Sequence, residues 1–157
     1  MKLSHKTGIA FGLTSGVITT LGVMIGLNAA TSLKLAIIAG ILTVAISDAF
    51  SDALGIHISQ ETSTRNNHKQ IWEATFATFS TKLVVALTFL VPVLIFPLQT
   101  AIKINLAWGF LLIITLNYHL AKSRKESPTK VITGHLAITV LVITITYYIG
   151  KLISIYF

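Results

Sequence analysis

The chain has 157 residues, 54% of them hydrophobic and only 11% charged, against about 25% charged in soluble domains. Its mean hydropathy is +0.81 and its formal net charge +7. This composition excludes a soluble fold and leaves room for one integral membrane domain; the absence of cysteine excludes disulfides and thiolate metal sites.

A helix needs about 20 apolar residues to cross a bilayer. Five runs meet that length, at about 8–30, 33–58, 76–98, 102–121 and 131–155. The first is long and resumes as membrane after a tight turn at 28–32, so a cleavable signal peptide is not expected. The expected fold is all-α, with five transmembrane helices in a single domain. Basic residues mark the cytoplasmic side. With the N-terminus inside, the inner segments carry eight: Lys2, Lys6, Arg65, Lys69, Lys122, Arg124, Lys125 and Lys130. The outer segments carry three, Lys34, Lys103 and Lys151. The N-terminus is therefore expected in the cytoplasm. The positive charge follows topology and contact with anionic lipid, not nucleic acid. Trp72, Trp108, Tyr147, Tyr148 and Tyr156 fall near span ends as interfacial aromatics.

The first span carries Gly8, Gly12 and Gly16, then Gly22 and Gly26, each at spacing four. Small residues at that spacing let helices approach closely. The second span carries Asp48 and Asp52, two of the chain's five acidic residues. A carboxylate in hydrocarbon costs roughly 3 kcal/mol or more, so a cation or proton pathway is the leading expectation. In an antiparallel hairpin, Ser15 and Gly16 lie about level with Asp48 and Gly12 with Asp52. The glycines would then leave space for an ion and expose carbonyls, or would serve packing alone. Helical spacing puts Asp48, Asp52, Gly55 and Ser59 on one stripe, flanked by Ser47 and Ser51. Thr14, Ser15, Thr19 and Thr20 add hydroxyls from the first span. Hard divalent cations favour such oxygens. Neighbouring carboxylates resist ionising together, which gives a basis for metal–proton exchange. The alternative is a polar network that only glues the hairpin.

Other groups have plainer alternatives. His57 and Glu61, at spacing four where the second span emerges, would form a cytoplasmic loading site for metal or a solvated helix end. His68 and Glu73 read as loop residues. Lys82 would pair with an aspartate or, more simply, snorkel to the interface. Asn117, Tyr118 and His119 read as interfacial anchors, and His135 as a proton relay or an interfacial residue. No hydrolase, nucleotide-binding or nucleophile motif occurs, so an enzyme is not expected.

At these residues the chain resembles the vacuolar iron transporter family. Gly12-Leu13-Thr14-Ser15-Gly16-Val17-Ile18-Thr19-Thr20-Leu21-Gly22 stands in register with a family first span of the form Gly-Leu-Asn-Asp-Gly-Leu-Val-Thr-Thr-Phe-Gly. Ser47-Asp48-Ala49-Phe50-Ser51-Asp52-Ala53-Leu54-Gly55-Ile56-His57-Ile58-Ser59 follows the outline of its second. Pro92 and Pro97 resemble its paired prolines, and Tyr148-Ile149-Gly150 a motif near its end. The departures are Ser15 for the family's aspartate, Asp52 for its methionine and Ile56 for its glutamate. The glutamate-rich insert between the second and third spans is also missing. The resemblance implies a five-span homodimer that exports a divalent metal, iron or manganese, in exchange for protons. Asp48 would be the central ligand, Asp52 the second carboxylate, and Thr14, Ser15 and Thr19 accessory oxygens. A carboxylate in place of a thioether shifts preference toward harder ions. The transported ion would be cargo, with no resident cofactor. The expected partners are membrane lipid, a second copy, the cation and the proton. The expected location is the cell membrane, with the vacuolar or another organelle membrane as the alternative. Rival readings are a non-transporting scaffold on this fold and a transporter of another solute.

Overall fold

A computed structural model describes residues 3–63 and 67–157. Lys2 and Arg65, counted above among the basic flanks, lie outside the described residues. Five helices make up the fold: α1 (Leu3–Thr31), α2 (Lys34–Glu61), α3 (His68–Ile95), α4 (Leu98–Arg124) and α5 (Pro128–Tyr156). No strand occurs among the described residues. All five helices are long and apolar enough to cross a membrane. The 29 residues of α1 rise roughly 40 Å, which covers the hydrocarbon core and both interfaces.

Local chemistry sets the breaks. Ser32, at φ 52°, takes the left-handed conformation that ends α1, and α2 starts two residues later. Asn67 and Gln70 form a reciprocal capping box that starts α3. The helix therefore begins at His68, not near 76 where the apolar run begins, because the cap lies in the polar flank. At the other end of α3, Phe96 is extended before Pro97, as the residue before a proline tends to be. Lys125, at φ 57°, stops α4 in a left-handed turn, and Pro128 opens α5.

α1 is the central helix, packed against the other four. Its glycines set how closely they come. Gly8, Gly12 and Gly16 face α3, where a Cβ on Gly12 would lie 2.6 Å from the Thr78 carbonyl oxygen. Gly22 and Gly26 face Val142 and Thr146 of α5. The glycines therefore do not line a space opposite the aspartates of α2. Ridge packing turns the Gly8–Gly12–Gly16 face toward α3, about which the α1–α2 turn carries no information. On the α4 side, Asn105 donates to the Phe89 carbonyl at 2.8 Å and to Met24 Sδ at 3.2 Å, tying α4 to α3 and α1.

We expect Gly12→Ala to cost roughly 1–3 kcal/mol, because the new methyl meets backbone. Gly40→Ala should cost less, since it meets only the side-chain ends of Leu27 and Val23. Melting of both variants in detergent measures the difference; equal losses would show that α1 and α3 have room to part.

Candidate ion site

The close α1–α3 approach builds the site. With only hydrogens at Gly12 and Gly16, α1 lies directly on the Lys82 backbone and stem. Ser15, between those glycines, then reaches the Lys82 ammonium. α2 supplies Asp48 and Asp52, one turn apart and on one face.

Lys82 is fully buried, with 0% of its side chain exposed. Its Nζ lies 2.6 Å from Asp48 Oδ2 and 2.8 Å from Ser15 Oγ, and it is also hydrogen-bonded to Asp52 Oδ2. The Ser15 hydroxyl donates to Asp52 Oδ2 at 2.6 Å. The ammonium donates to Ser15 and Asp52 and is ion-paired with Asp48. The expectation that Lys82 snorkels to the interface is thus overturned. Lysine snorkels when its head would otherwise sit alone in hydrocarbon, and here two carboxylates and a hydroxyl receive it. The sequence signal was its placement: Lys82 is the cation inside a span whose depth matches the aspartates. With all three groups ionised, two carboxylates and one ammonium leave one negative charge. The cluster is not sealed: the Asp52 side chain is 19% exposed and that of Asp48 31%, so Asp48 is its open edge.

The remaining predicted ligands fall elsewhere. Thr19 gives its hydroxyl to the Ser15 carbonyl at 2.9 Å. Thr14, one residue from Ser15 but turned by 100° on the helix, lines a groove beside Lys6, Arg124 and His135. Ser47 bonds the Thr43 carbonyl, and Ser51 is exposed. The structure brings together Asp48, Asp52 and Ser15 around Lys82, and leaves Thr14 and Thr19 out. Among the described residues, no three His, Asp or Glu side chains converge as a metal centre.

His57 and Glu61 are adjacent, with Nε2 3.4 Å from Oε1. The Thr75 hydroxyl donates to the Ile71 carbonyl at 2.8 Å, so toward His57 Nδ1, 2.9 Å away, it accepts. Nδ1 therefore carries a proton and Nε2 faces the carboxylate. The His57 ring lies edge-on to Trp72 at 4.6 Å, in an apolar groove of about 330 Å³ between α2 and α3. Glu73 accepts from Ser4 at 3.1 Å, Asn117 donates to the Ile113 carbonyl at 2.8 Å, and His135 Nδ1 donates to the Val131 carbonyl at 2.9 Å.

No family model, curated protein or solved structure matches the chain.

Proposed function

We propose that the protein carries a divalent metal cation, iron(II) or manganese(II), out of the cytoplasm in exchange for protons, with Asp48, Asp52, Ser15 and Lys82 as the exchange site. One observation carries this reading: an intramembrane cluster with two carboxylates against one ammonium. A purely structural tie in hydrocarbon would be expected to balance its charge. The residual negative charge favours a further cation or a proton. Lys82 then acts as a tethered cation that holds the carboxylates while the site is unloaded. An arriving metal competes with the ammonium for Asp48 and Asp52, and Ser15 Oγ supplies a third oxygen. Protons compete for the same carboxylates, which couples the two fluxes. The all-oxygen donor set favours hard ions. The first-span resemblance to vacuolar iron transporters, with Asp48 at the retained aspartate, supports a metal cargo.

Two further parts of the reading rest on distribution. Of the eight basic residues assigned inside, six are described, and their helix ends share one end of the bundle, which supports a cytoplasmic N-terminus. α2 exposes Ala39, Thr43, Ser47, Ser51, Gly55 and Ser59 at spacing four, beside the open edge at Asp48. Pairing two copies through that stripe would cover a carboxylate that otherwise meets lipid, which supports a homodimer. The chain lacks cysteine, so a single introduced thiol reports on the pairing. We expect Ser51→Cys in membranes to form disulfide-linked dimers on mild oxidation, and Val140→Cys on exposed α5 to form few. Equal cross-linking at both positions would argue against the α2 contact.

The rival is a non-transporting scaffold, favoured by a Lys82 ammonium already held by Ser15, Asp52 and Asp48. Proteoliposomes decide between them. Manganese(II), iron(II), cobalt(II) and magnesium(II) are offered one at a time while a trapped dye follows internal pH. The transport reading expects at least one metal to move together with an opposing proton flux. Rates no higher than those of empty liposomes for all four would leave the scaffold.

A further inference from the structure

At the basic end of the bundle, away from Asp48 and Asp52, two grooves of about 740 and 560 Å³ share Leu120, Arg124 and His135 as walls. They adjoin along those walls and make a two-part depression between the start of α1, the end of α4 and the start of α5. Lys6 enters it from α1, Arg124 from α4 and Lys130 from α5. The acidic residue in its lining is Glu126. Among the described residues, none of Lys6, Arg124 and Lys130 is ion-paired. Arg124 stands in both grooves, with Lys130 in one and Lys6 in the other, and three unpaired cations on adjoining walls repel each other, so their placement invites an anion.

The rest of the lining indicates which anion. Deeper than the charges the walls are mostly apolar, with Ala10 and Phe11 on α1, Leu120 on α4 and Ile138 on α5, and Thr14 and His135 as the polar exceptions. The concavity thus changes from cationic to hydrocarbon along its depth, at a helix end that reaches the membrane interface. A free phosphate matches only the upper half of that surface. A phospholipid matches both halves, with its phosphate among the basic groups and an acyl chain along the apolar wall. Basic pockets between transmembrane helices take anionic headgroups in this way. The α5 N-terminus adds to the field. Ser127 makes no side-chain cap, and its hydroxyl pairs instead with Thr129 Oγ1 at 2.9 Å. Pro128 has no N–H, and the amides of Thr129 and Lys130 that follow it receive no cap from the Ser127 side chain.

We propose that this α1–α4–α5 depression is a binding site for an anionic phospholipid, with Arg124, Lys130 and Lys6 on the headgroup phosphate. The site is separate from the ion cluster and does not depend on transport. Each Lys or Arg at a membrane surface contributes about fivefold to anionic-lipid affinity, so removing two should cost on the order of 25-fold.

The test uses full-length protein in a neutral detergent, titrated with phosphatidylglycerol or phosphatidylcholine. Native mass spectrometry reads the retained lipid, and thermal unfolding reads stabilisation. We expect wild type to retain phosphatidylglycerol selectively. Arg124→Gln/Lys130→Gln should lose that retention by roughly 25-fold. Lys103→Gln/Lys151→Gln, which removes the same charge at the other end, should keep it. Leu120→Trp fills the groove without changing charge and should also release the lipid, which guards against a general charge effect. Equal retention of phosphatidylcholine overturns the proposal, as does equal loss in the Lys103/Lys151 control. Retention that survives in Arg124→Gln/Lys130→Gln overturns it too. Inorganic phosphate that stabilises the protein as much as phosphatidylglycerol overturns the lipid assignment.

Discussion

We expect Lys82→Met to destabilise the protein more than any other single side-chain replacement in α3, by about 3–5 kcal/mol. Methionine fills much of the space of the lysine stem but brings no charge. Asp48 and Asp52 would then share the cluster without the ammonium between them, as two like charges in a low-dielectric setting. The loss comes from the stranded carboxylates more than from the missing contact, so it should be reversible. Lys82→Met combined with Asp52→Asn leaves one carboxylate and an amide, and should recover a large part of the stability. Thermal unfolding in one detergent, for wild type, both single variants and the double, gives the cycle. If Lys82→Met melts with wild type, the ammonium does not hold these helices. If the double variant is worse than Lys82→Met, the carboxylates are not what suffers.

The five helices were legible because hydrocarbon demands about 20 apolar residues in a row and keeps most charge at the ends. α3 shows the boundary of that rule. Its first turns are polar, and an Asn67–Gln70 box, not hydrophobicity, sets its start. The site was half legible. Asp48, Asp52 and Ser15 stood out because polar groups in a span are costly, and the structure gathers all three. Thr14 was misplaced because adjacent residues on a helix point 100° apart. Choosing Ser15 over Thr14 requires knowing where α2 and α3 stand around α1. The packing role of the glycines was legible but their neighbour was not: spacing four defines a face but not what it meets, and for Gly8, Gly12 and Gly16 the neighbour is α3. Lys82 was the hardest. Four rotatable bonds let the same residue snorkel or fold inward, and the decision rests on two aspartates about 30 residues away in sequence.

For Asp48→Asn we expect loss of metal-driven proton flux with the fold retained. Asp48 is the more exposed carboxylate, and toward Lys82 an amide oxygen can still face the ammonium, so the stability cost should be about 1 kcal/mol or less. The charge effect is larger than the structural one. Asp52 and Lys82 alone make a neutral pair, and the residual negative charge that would draw a cation is gone. Losing one charged ligand, worth about 1.5–3 kcal/mol, lowers metal affinity roughly ten- to hundredfold. Asp52→Asn should behave differently. Asp52 accepts from both Lys82 and Ser15 and is more buried, so its replacement should cost more stability. Melting and proteoliposome flux, measured on the same preparations, separate the two roles. Transport through the cluster expects flux to fail in Asp48→Asn while melting barely moves. Structural glue expects both variants to lose stability and neither to change any flux. A well-folded Asp48→Asn protein that still exchanges metal for protons would place the pathway elsewhere in the bundle and leave the cluster as a tie between α1, α2 and α3.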